Sequence, residues 1–169
     1  PPSVQFGLEA GTSHVLPAQG RPGNAIYGQS MAVHNEHLYV GTCEPGIDQA
    51  GHVFRYESRE KWLDCGTPDK ANSITAMAAF GGDLYVGSGK YRLGGSSLSE
   101  SENPNLGGKV YRHFGDRKWE AVGRFPEMEC VGGMVFFSGQ LYVGPPFKPA
   151  AFLLFAADKK MTSSGLPGA

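Results

Sequence analysis

The amino-acid sequence predicts an all-β chain built from three four-stranded antiparallel modules, and three observations lead to this prediction. The 169 residues include 25 Gly and 12 Pro but only 18% charged residues, a composition typical of many short strands joined by tight turns. The motif Leu-Tyr-Val-Gly occurs three times, at 38–41, 84–87 and 141–144. Each copy follows an apolar run and a short turn, which is the pattern of a β-hairpin.

The first two strands of each module are predicted at the apolar run and at the motif. The runs lie at 31–33, 77–80 and 134–137, and the polar or glycine-rich turns after them lie at 35–37, 81–83 and 138–140. These segments are almost continuously apolar and do not alternate strictly. This indicates that both faces of each sheet are covered.

The third and fourth strands follow in the same order in every module. The third strands are predicted at 53–56, 110–113 and 152–155. The fourth strands contain Trp62, Trp119 and, in the last module, Met161. Because the two tryptophans recur at one position, we expect them to pack between modules. The alternative is that they form a platform on which a sugar or a base stacks.

The module boundaries follow from this repetition. A leading segment covers 1–28, and within it 20–23 resembles the tail of a preceding repeat. Modules 1, 2 and 3 are then predicted to span 29–70, 71–127 and 128–169, and together they form one structural domain. Module 2 contains a long insertion between its second and third strands.

Four-stranded repeats of about 45 residues are typical of β-propeller blades. A lone four-stranded sheet buries neither face, whereas sheets stacked around an axis cover each other. The repeats resemble those of kelch-like β-propellers, including the spacing between Tyr56 and Trp62, from about residue 20 to the end. The usual Gly-Gly pair after the second strand is here Gly-Thr, Gly-Ser or Gly-Pro. The resemblance implies a propeller fold, and it carries no functional residue over to this chain.

Three blades are too few to close a propeller, which has about four to eight. The sequence therefore predicts either a homodimer that completes a six-blade ring or a chain that is part of a longer propeller. Leu154 stands where modules 1 and 2 have Arg55 and Arg112. An apolar residue at this position indicates a covered surface. We expect a partner subunit to cover it, and the alternative is the C-terminal tail.

The connections between second and third strands are the candidate ligand-binding loops. They differ sharply in length, at 43–51, 89–108 and around 145–149, and long loops in compact repeats are often functional. The candidate ligand contacts at the start of the second loop are Lys90, Tyr91 and Arg92. They combine a flat aromatic surface with two donors for anions. The alternative is a solvated insertion that binds nothing.

Three carboxylates complete the candidate site: Glu44 and Asp48 on the first of these loops, and Glu129 on the connection to module 3. We expect them to converge near a central channel. The predicted function is a non-catalytic binding or scaffolding module for a carbohydrate or protein ligand. The alternative is a carbohydrate-active enzyme of the glycosidase or lyase type, which needs two carboxylates about 5–5.5 Å or about 6.5–9.5 Å apart. No catalytic residue is assigned.

The charge balance and the apolar pattern exclude other classes of partner. A formal net charge of −1 argues against nucleic acid and against a polybasic membrane contact. No apolar run reaches the length of a membrane span, and the N-terminus lacks the layout of a signal peptide. The cellular compartment is left open.

No metal site and no cofactor are predicted. His34 and His37 flank a turn, and this pair lacks the further ligands that a metal needs. The segment 87–90 lacks the glycine and hydroxyl residues of a phosphate-binding loop. Cysteines occur at three scattered positions without disulfide or zinc spacing, so we expect small buried apolar side chains at Cys43, Cys65 and Cys130.

Overall fold

The structure is a computed structural model, and it describes residues 19–90, 101–125 and 129–146, together with the backbone of 152–156 and 161–164. These residues contain no helix. All of their paired strands run antiparallel. The predicted all-β class is therefore confirmed.

The described residues form twelve strands. They are β1 (Tyr27–His34), β2 (His37–Cys43), β3 (Val53–Ser58), β4 (Lys61–Asp64), β5 (Ser73–Phe80), β6 (Asp83–Gly89), β7 (Lys109–His113), β8 (Trp119–Arg124), β9 (Gly133–Phe137), β10 (Gln140–Gly144), β11 (Phe152–Ala156) and β12 (Met161–Ser164).

The strands form two antiparallel sheets: β1 to β8 lie in a sheet of eight strands, in which β2 pairs with β5, and β9 to β12 form a sheet of four. Within them each set of four consecutive strands pairs in chain order, and we call β1 to β4 module 1, β5 to β8 module 2 and β9 to β12 module 3. Leu38, Leu84 and Leu141 all lie on the second strand of their module, so the predicted equivalence of the three motifs is confirmed. A bulge also recurs in the first strand, at Gly28/Ser30 in module 1 and at Ile74/Ala76 in module 2.

The turns between first and second strands contain two residues with positive φ in every module. These residues are Asn35 and Glu36, Gly81 and Gly82, and Ser138 and Gly139. Positive φ at both central positions is the geometry that matches the twist of the flanking strands in a tight hairpin. The predicted hairpins are confirmed at all three motifs.

Successive modules are joined at one end of the sheets. Cys43 at the end of β2 pairs with Ser73 at the start of β5. In the same way Gly89 at the end of β6 pairs with Cys130 just before β9. Among the described strands the order is not closed on itself.

In the described part of the chain the core contains two clusters, one at each junction between modules. Between modules 1 and 2 the buried side chains are Tyr39, Val53, Cys65, Ile74, Leu84, Val86 and Tyr111. Between modules 2 and 3 they are Ala76, Tyr85, Val110, Phe125, Val131, Leu141 and Val143. Module 2 contributes to both clusters, which explains why its strands are apolar on both faces.

Trp119 contacts the neighbouring module, as the sequence predicts. It packs against the cluster between modules 1 and 2, and its Nε1–H donates to the carbonyl oxygen of Cys65 over 2.9 Å. Trp62 donates in the same way to the carbonyl oxygen of Gln19, over 3.2 Å. Both rings are half-buried, and each binds the segment that precedes its own module.

The segment 19–23 contacts module 1 in the same way as the segment 65–69 contacts module 2. Gly20 has a φ of 83° and Gly66 a φ of 90°. A Cβ on Gly20 would lie 2.7 Å from the Cα of Glu60, and one on Gly66 would lie 3.1 Å from the Cβ of Arg117. Glu60 and Arg117 both belong to the turn between the third and fourth strands. In both places a glycine with positive φ packs closely against the turn between the third and fourth strands of the module that follows. Residues 1–18 lie outside the described residues.

Candidate functional site

The loops after second strands and the connections after fourth strands meet at the same end of the modules. Glu44 N–H donates to Asn72 O over 2.9 Å, and the N–H groups of Lys90 and Gly107 donate to Glu129 O over 2.9 and 3.0 Å. We call this end the loop face; its described residues are 44–52, 65–72, 90, 101–108 and 129–132. The tight turns between first and second strands lie at the opposite end.

Asn103 holds three segments of the loop face together. Its side chain is fully buried, and its Nδ2 donates to Gln49 O over 2.9 Å and to Lys70 O over 3.1 Å. Its Oδ1 accepts from the backbone N–H of Asn105 over 2.8 Å. One amide therefore joins the two long loops and the connection between modules 1 and 2. The loops of modules 1 and 2 form one continuous surface.

The role of Asn103 was not predicted from the sequence, which places this residue only within the insertion. A local signal exists, because Asn-Pro-Asn at 103–105 is typical of a turn in which the side chain binds the backbone two residues on. The contacts to Gln49 and Lys70 are more than 30 residues distant along the chain. No local pattern reveals them.

Glu44 is buried, which differs from the expectation of a ligand-contact residue. Its carboxylate accepts a hydrogen bond of 2.7 Å from Thr42 Oγ1, and Asn72 Nδ2 donates to its carbonyl oxygen over 3.2 Å. The side chain and backbone of Glu44 therefore hold the loop in place. Asp48, on the same loop, is exposed.

The other predicted site residues fall into two groups. Lys90 and Glu129 are both half-buried and are brought together by the backbone hydrogen bond between them. Tyr91 and Arg92 lie outside the described residues. The loop that carries Asp48 and the loop that begins at Lys90 are joined through Asn103.

The connection between modules 1 and 2 is anchored by the buried carboxylate of Asp69. Its Oδ2 accepts from Ser88 Oγ and Tyr111 OH, both over 3.0 Å, and from Lys109 Nζ over 3.3 Å. Its Oδ1 accepts from the N–H of Ala71 over 2.8 Å. The pKa of Tyr111 is raised, mainly by burial and also by the charge of Asp69. Its phenol therefore stays neutral and donates the hydrogen bond. The carboxylate is occupied in stabilising the connection.

Two apolar side chains project from the loop face. Ile47 on the first loop and Leu106 on the second are both about half exposed to solvent. They lie on the loops that Asn103 joins. Exposed apolar groups among polar ones, on loops held by buried hydrogen bonds, are what a ligand-contact surface requires.

The three cysteines are free thiols, and Cys43 and Cys65 are buried as predicted. Burial raises the pKa of Cys43 to about 11, and burial likewise raises the pKa of Cys130. A neutral thiol is a poor nucleophile, so these residues favour packing over chemistry. Within the described ranges, no three His, Cys, Asp or Glu side chains are grouped so that they could hold a metal ion.

No protein-family model matches the chain. A search of curated proteins finds no match either. In the part of the chain that the structure describes, no helix is both long and apolar enough to cross a membrane.

Proposed function

We propose that this chain is a non-catalytic binding module that contacts a carbohydrate or protein ligand through its loop face, on a scaffold of kelch-like propeller blades. The observation that carries the proposal is the hydrogen bonding of Asn103, which fixes the two long loops against each other. A surface whose loops are already ordered loses little conformational entropy when a ligand binds. The alternative, a solvated insertion, gives no reason for a buried amide at this position.

The propeller part of the proposal is supported by the repetition of contacts between modules. The tyrosine of the motif faces the next module, as Tyr39 and Tyr85 do. The leucine of the motif faces the preceding module, as Leu84 and Leu141 do. The same two faces therefore meet at both junctions. Face-to-face packing of four-stranded sheets in a constant direction is what blades around an axis require.

The loop face offers the mixture of groups that binding surfaces use. Ile47 and Leu106 provide apolar contact, and Asp48 provides an exposed acceptor. Carbohydrates and protein surfaces both present hydroxyl or amide groups beside apolar patches. Such ligands are bound by a few placed polar groups together with apolar contact.

The chemistry of the acids favours binding over hydrolysis. A glycosidase needs two carboxylates that act directly on the sugar. The carboxylate of Glu44 is instead buried and accepts from Thr42. We therefore assign the loop face the formation of hydrogen bonds and apolar contacts with an intact ligand.

The test is a glycan array probed with the full chain, followed by capture of candidate protein ligands. The variant Asn103→Ala leaves the carbonyl groups of Gln49 and Lys70 without their donor, so we expect ligand binding to fall by about tenfold or more. The matched control is His37→Ala, an exposed residue at the opposite end of the sheets, and it should bind as the unaltered chain does. Circular dichroism checks that both variants are folded.

Two results would contradict the proposal. One is that the unaltered chain selects no glycan and no protein ligand. The other is that a ligand is found and that His37→Ala weakens its binding as much as Asn103→Ala does. Either result would remove the loop face as the binding surface.

A further inference from the structure

Among the described residues, modules 1 and 3 each have one apolar face without a neighbouring module. On module 1 the face that points away from module 2 exposes 68% of Met31 and 66% of Val33. On module 3 the face that points away from module 2 exposes 59% of Val135 and 68% of Phe137. We call these the first end face and the last end face. Apolar side chains that are exposed next to each other on one face of a sheet mark a contact surface, whereas a single exposed one does not.

The strand registers fix which residues share each face. Met31 is opposite Val40, and Val33 is opposite Leu38, so these four lie on the first end face. Val40 is already buried within the chain, so Met31 and Val33 are the exposed side chains of this face. Val135 is opposite Tyr142, and Gly133 is opposite Gly144, so these lie on the last end face with Phe137. Residues opposite each other in a ladder lie on the same side of the sheet.

The two internal junctions show what each end face is built to meet. Leu38 occupies the position of Leu84 and Leu141, which are fully buried against a preceding module. Tyr142 occupies the position of Tyr39 and Tyr85, which are buried against a following module. The first end face therefore has the residues that modules 2 and 3 use to contact the module before them. The last end face has the residues that modules 1 and 2 use to contact the module after them.

One internal contact predicts a specific external one. Phe80 of module 2 stacks on Phe136 of module 3, with ring centroids 3.9 Å apart and planes at 7°. Phe137 holds the position of Phe80 in the third module, and Val33 holds the position of Phe136 in the first. A module 1 placed after module 3 would thus set Val33 against Phe137.

We infer that a second copy of this chain packs its first end face against the last end face of the first copy. The same contact formed in reverse closes two copies into a ring of six modules. Both surfaces needed for this junction are present on one chain, and each continues a contact that is already made twice inside it. The occupant of each end face is therefore a second copy of this chain. Because the inference concerns the end faces, it can fail while ligand binding at the loop face holds.

A pocket on the last end face marks where this junction is least well filled. It has a volume of about 420 Å³ and includes Val135, Tyr142 and Gly144 in its lining. At the internal junctions a β-branched residue of the next module lies at this point. A Cβ on Gly41 would be 2.6 Å from Ile74. In module 1 the position of this β-branched residue is occupied by Gly28. When module 1 of a second copy packs there, the pocket is therefore not filled by a side chain.

The experiment is sedimentation velocity of the full chain over a range of concentrations. We expect the unaltered chain to form two-copy particles. Phe137→Glu and Val33→Lys should each weaken the association by about 100-fold or more, because each buries an unpaired charge. A mixture of these two variants should restore a one-to-one particle, since one junction is unaltered and the other pairs Glu with Lys. Phe114→Glu, equally exposed but distant from both end faces, is the matched control and should associate normally.

A second variant tests the same junction because it should strengthen the association. Gly28→Val supplies the missing β-branched residue, and burial of its side chain in the pocket should tighten the association by about tenfold. A Cβ on Gly28 would lie 2.8 Å from Cγ1 of Val40, so the Val40 side chain has to turn aside. Module 2 gives the precedent, because Ile74 and Val86 are buried together at the equivalent positions. Circular dichroism and thermal melting check that each variant is folded.

The inference would be overturned if the unaltered chain stays monomeric up to about 200 µM, well above the concentrations at which interfaces of standard size assemble. In that case a second copy of this chain would not be what contacts the end faces. A Val33→Lys variant that associates as strongly as the unaltered chain would show that the first end face takes no part in the contact, and it would overturn the inference as well. A Gly28→Val variant that is folded but associates more weakly than the unaltered chain would also overturn the inference.

Discussion

Glu36 and Gly82 hold the same place in the hairpin turns of modules 1 and 2, and both have positive φ, 64° and 85°. Glycine adopts this conformation freely, whereas a residue with a Cβ is strained in it by about 1–2 kcal/mol. The sequence indicates the turn in both modules. It does not show that module 1 makes the turn with a residue poorly suited to it.

The substitution Glu36→Gly should therefore stabilise the chain by about 0.5–1 kcal/mol, since relief of strain exceeds the added entropy of the unfolded state. Urea unfolding at neutral pH measures the change. The matched control is Gly82→Glu, which should destabilise by a similar amount because a Cβ there meets no atom within 4 Å and only the backbone conformation opposes it. Equal stability of both variants would refute this account of the turn.

At the scale of elements, module 1 and module 2 are joined by a polar cluster as well as by their core. Asp64 at the end of β4 accepts from Arg117 in the turn between β7 and β8 over 2.5 Å. It also accepts from Gly66 N–H over 2.7 Å and pairs with His52 over 3.1 Å. Burial alone would raise the pKa of Asp64, but these three donors outweigh it, so the pKa lies below its ordinary value.

The sign of the pH dependence follows from this depressed pKa. The ionised carboxylate of Asp64 stabilises the folded state above its unfolded pKa of 3.8, and this stabilisation is lost as the pH falls through the lower folded value. Asp64→Asn should lower the free energy of unfolding by about 1 kcal/mol at neutral pH, since the pair is partly exposed.

Urea unfolding between about pH 2 and pH 7 measures this effect. The difference between the unaltered chain and Asp64→Asn should shrink as the pH falls toward the acid end of the range. Asp48→Asn, at an exposed loop position, is the matched control and should show no such trend. A difference that is constant across the range would show that the charge of Asp64 does not join the modules.

For the whole molecule, the distance between neighbouring sheets depends on glycines that face a branched side chain. A Cβ on Gly87 would lie 2.5 Å from the Cβ and Cγ1 of Val131 in the next module. No real Cβ tolerates such a contact, so the sheets would have to separate locally. The motif glycine therefore serves the packing of modules, and its positive-φ freedom is not used here.

Gly87→Ala should accordingly destabilise the chain by about 1–3 kcal/mol through overpacking of the junction between modules 2 and 3. The free energy of unfolding in urea measures the loss. Gly133→Ala, in a sheet of the same junction, is the matched control, because a Cβ there meets nothing within 4 Å. Equal tolerance of both substitutions would argue that the sheets are not packed as closely as described.

The sequence by itself determined the strands, the three hairpins and the repetition, because these depend on turn residues and apolar runs that are local in the chain. It also placed Trp119 at a junction, since a large aromatic residue that recurs at one position of a repeat marks a common contact. For the candidate site, the sequence predicted that Glu44 faces a ligand near a central channel but did not indicate that its side chain is buried. The reason is that its environment is set by Thr42 and by Asn72 of another segment.

Only the tertiary structure decided which loops form one surface and which faces lack a neighbour. Asn103 joins Gln49 to Lys70 although both are distant in the chain, and no periodic pattern encodes such a meeting. The difference between Val33 and Leu141, both apolar strand residues, lies in whether another sheet covers them. Local residue type sets which element forms, whereas the cover that each face receives depends on where the other elements lie.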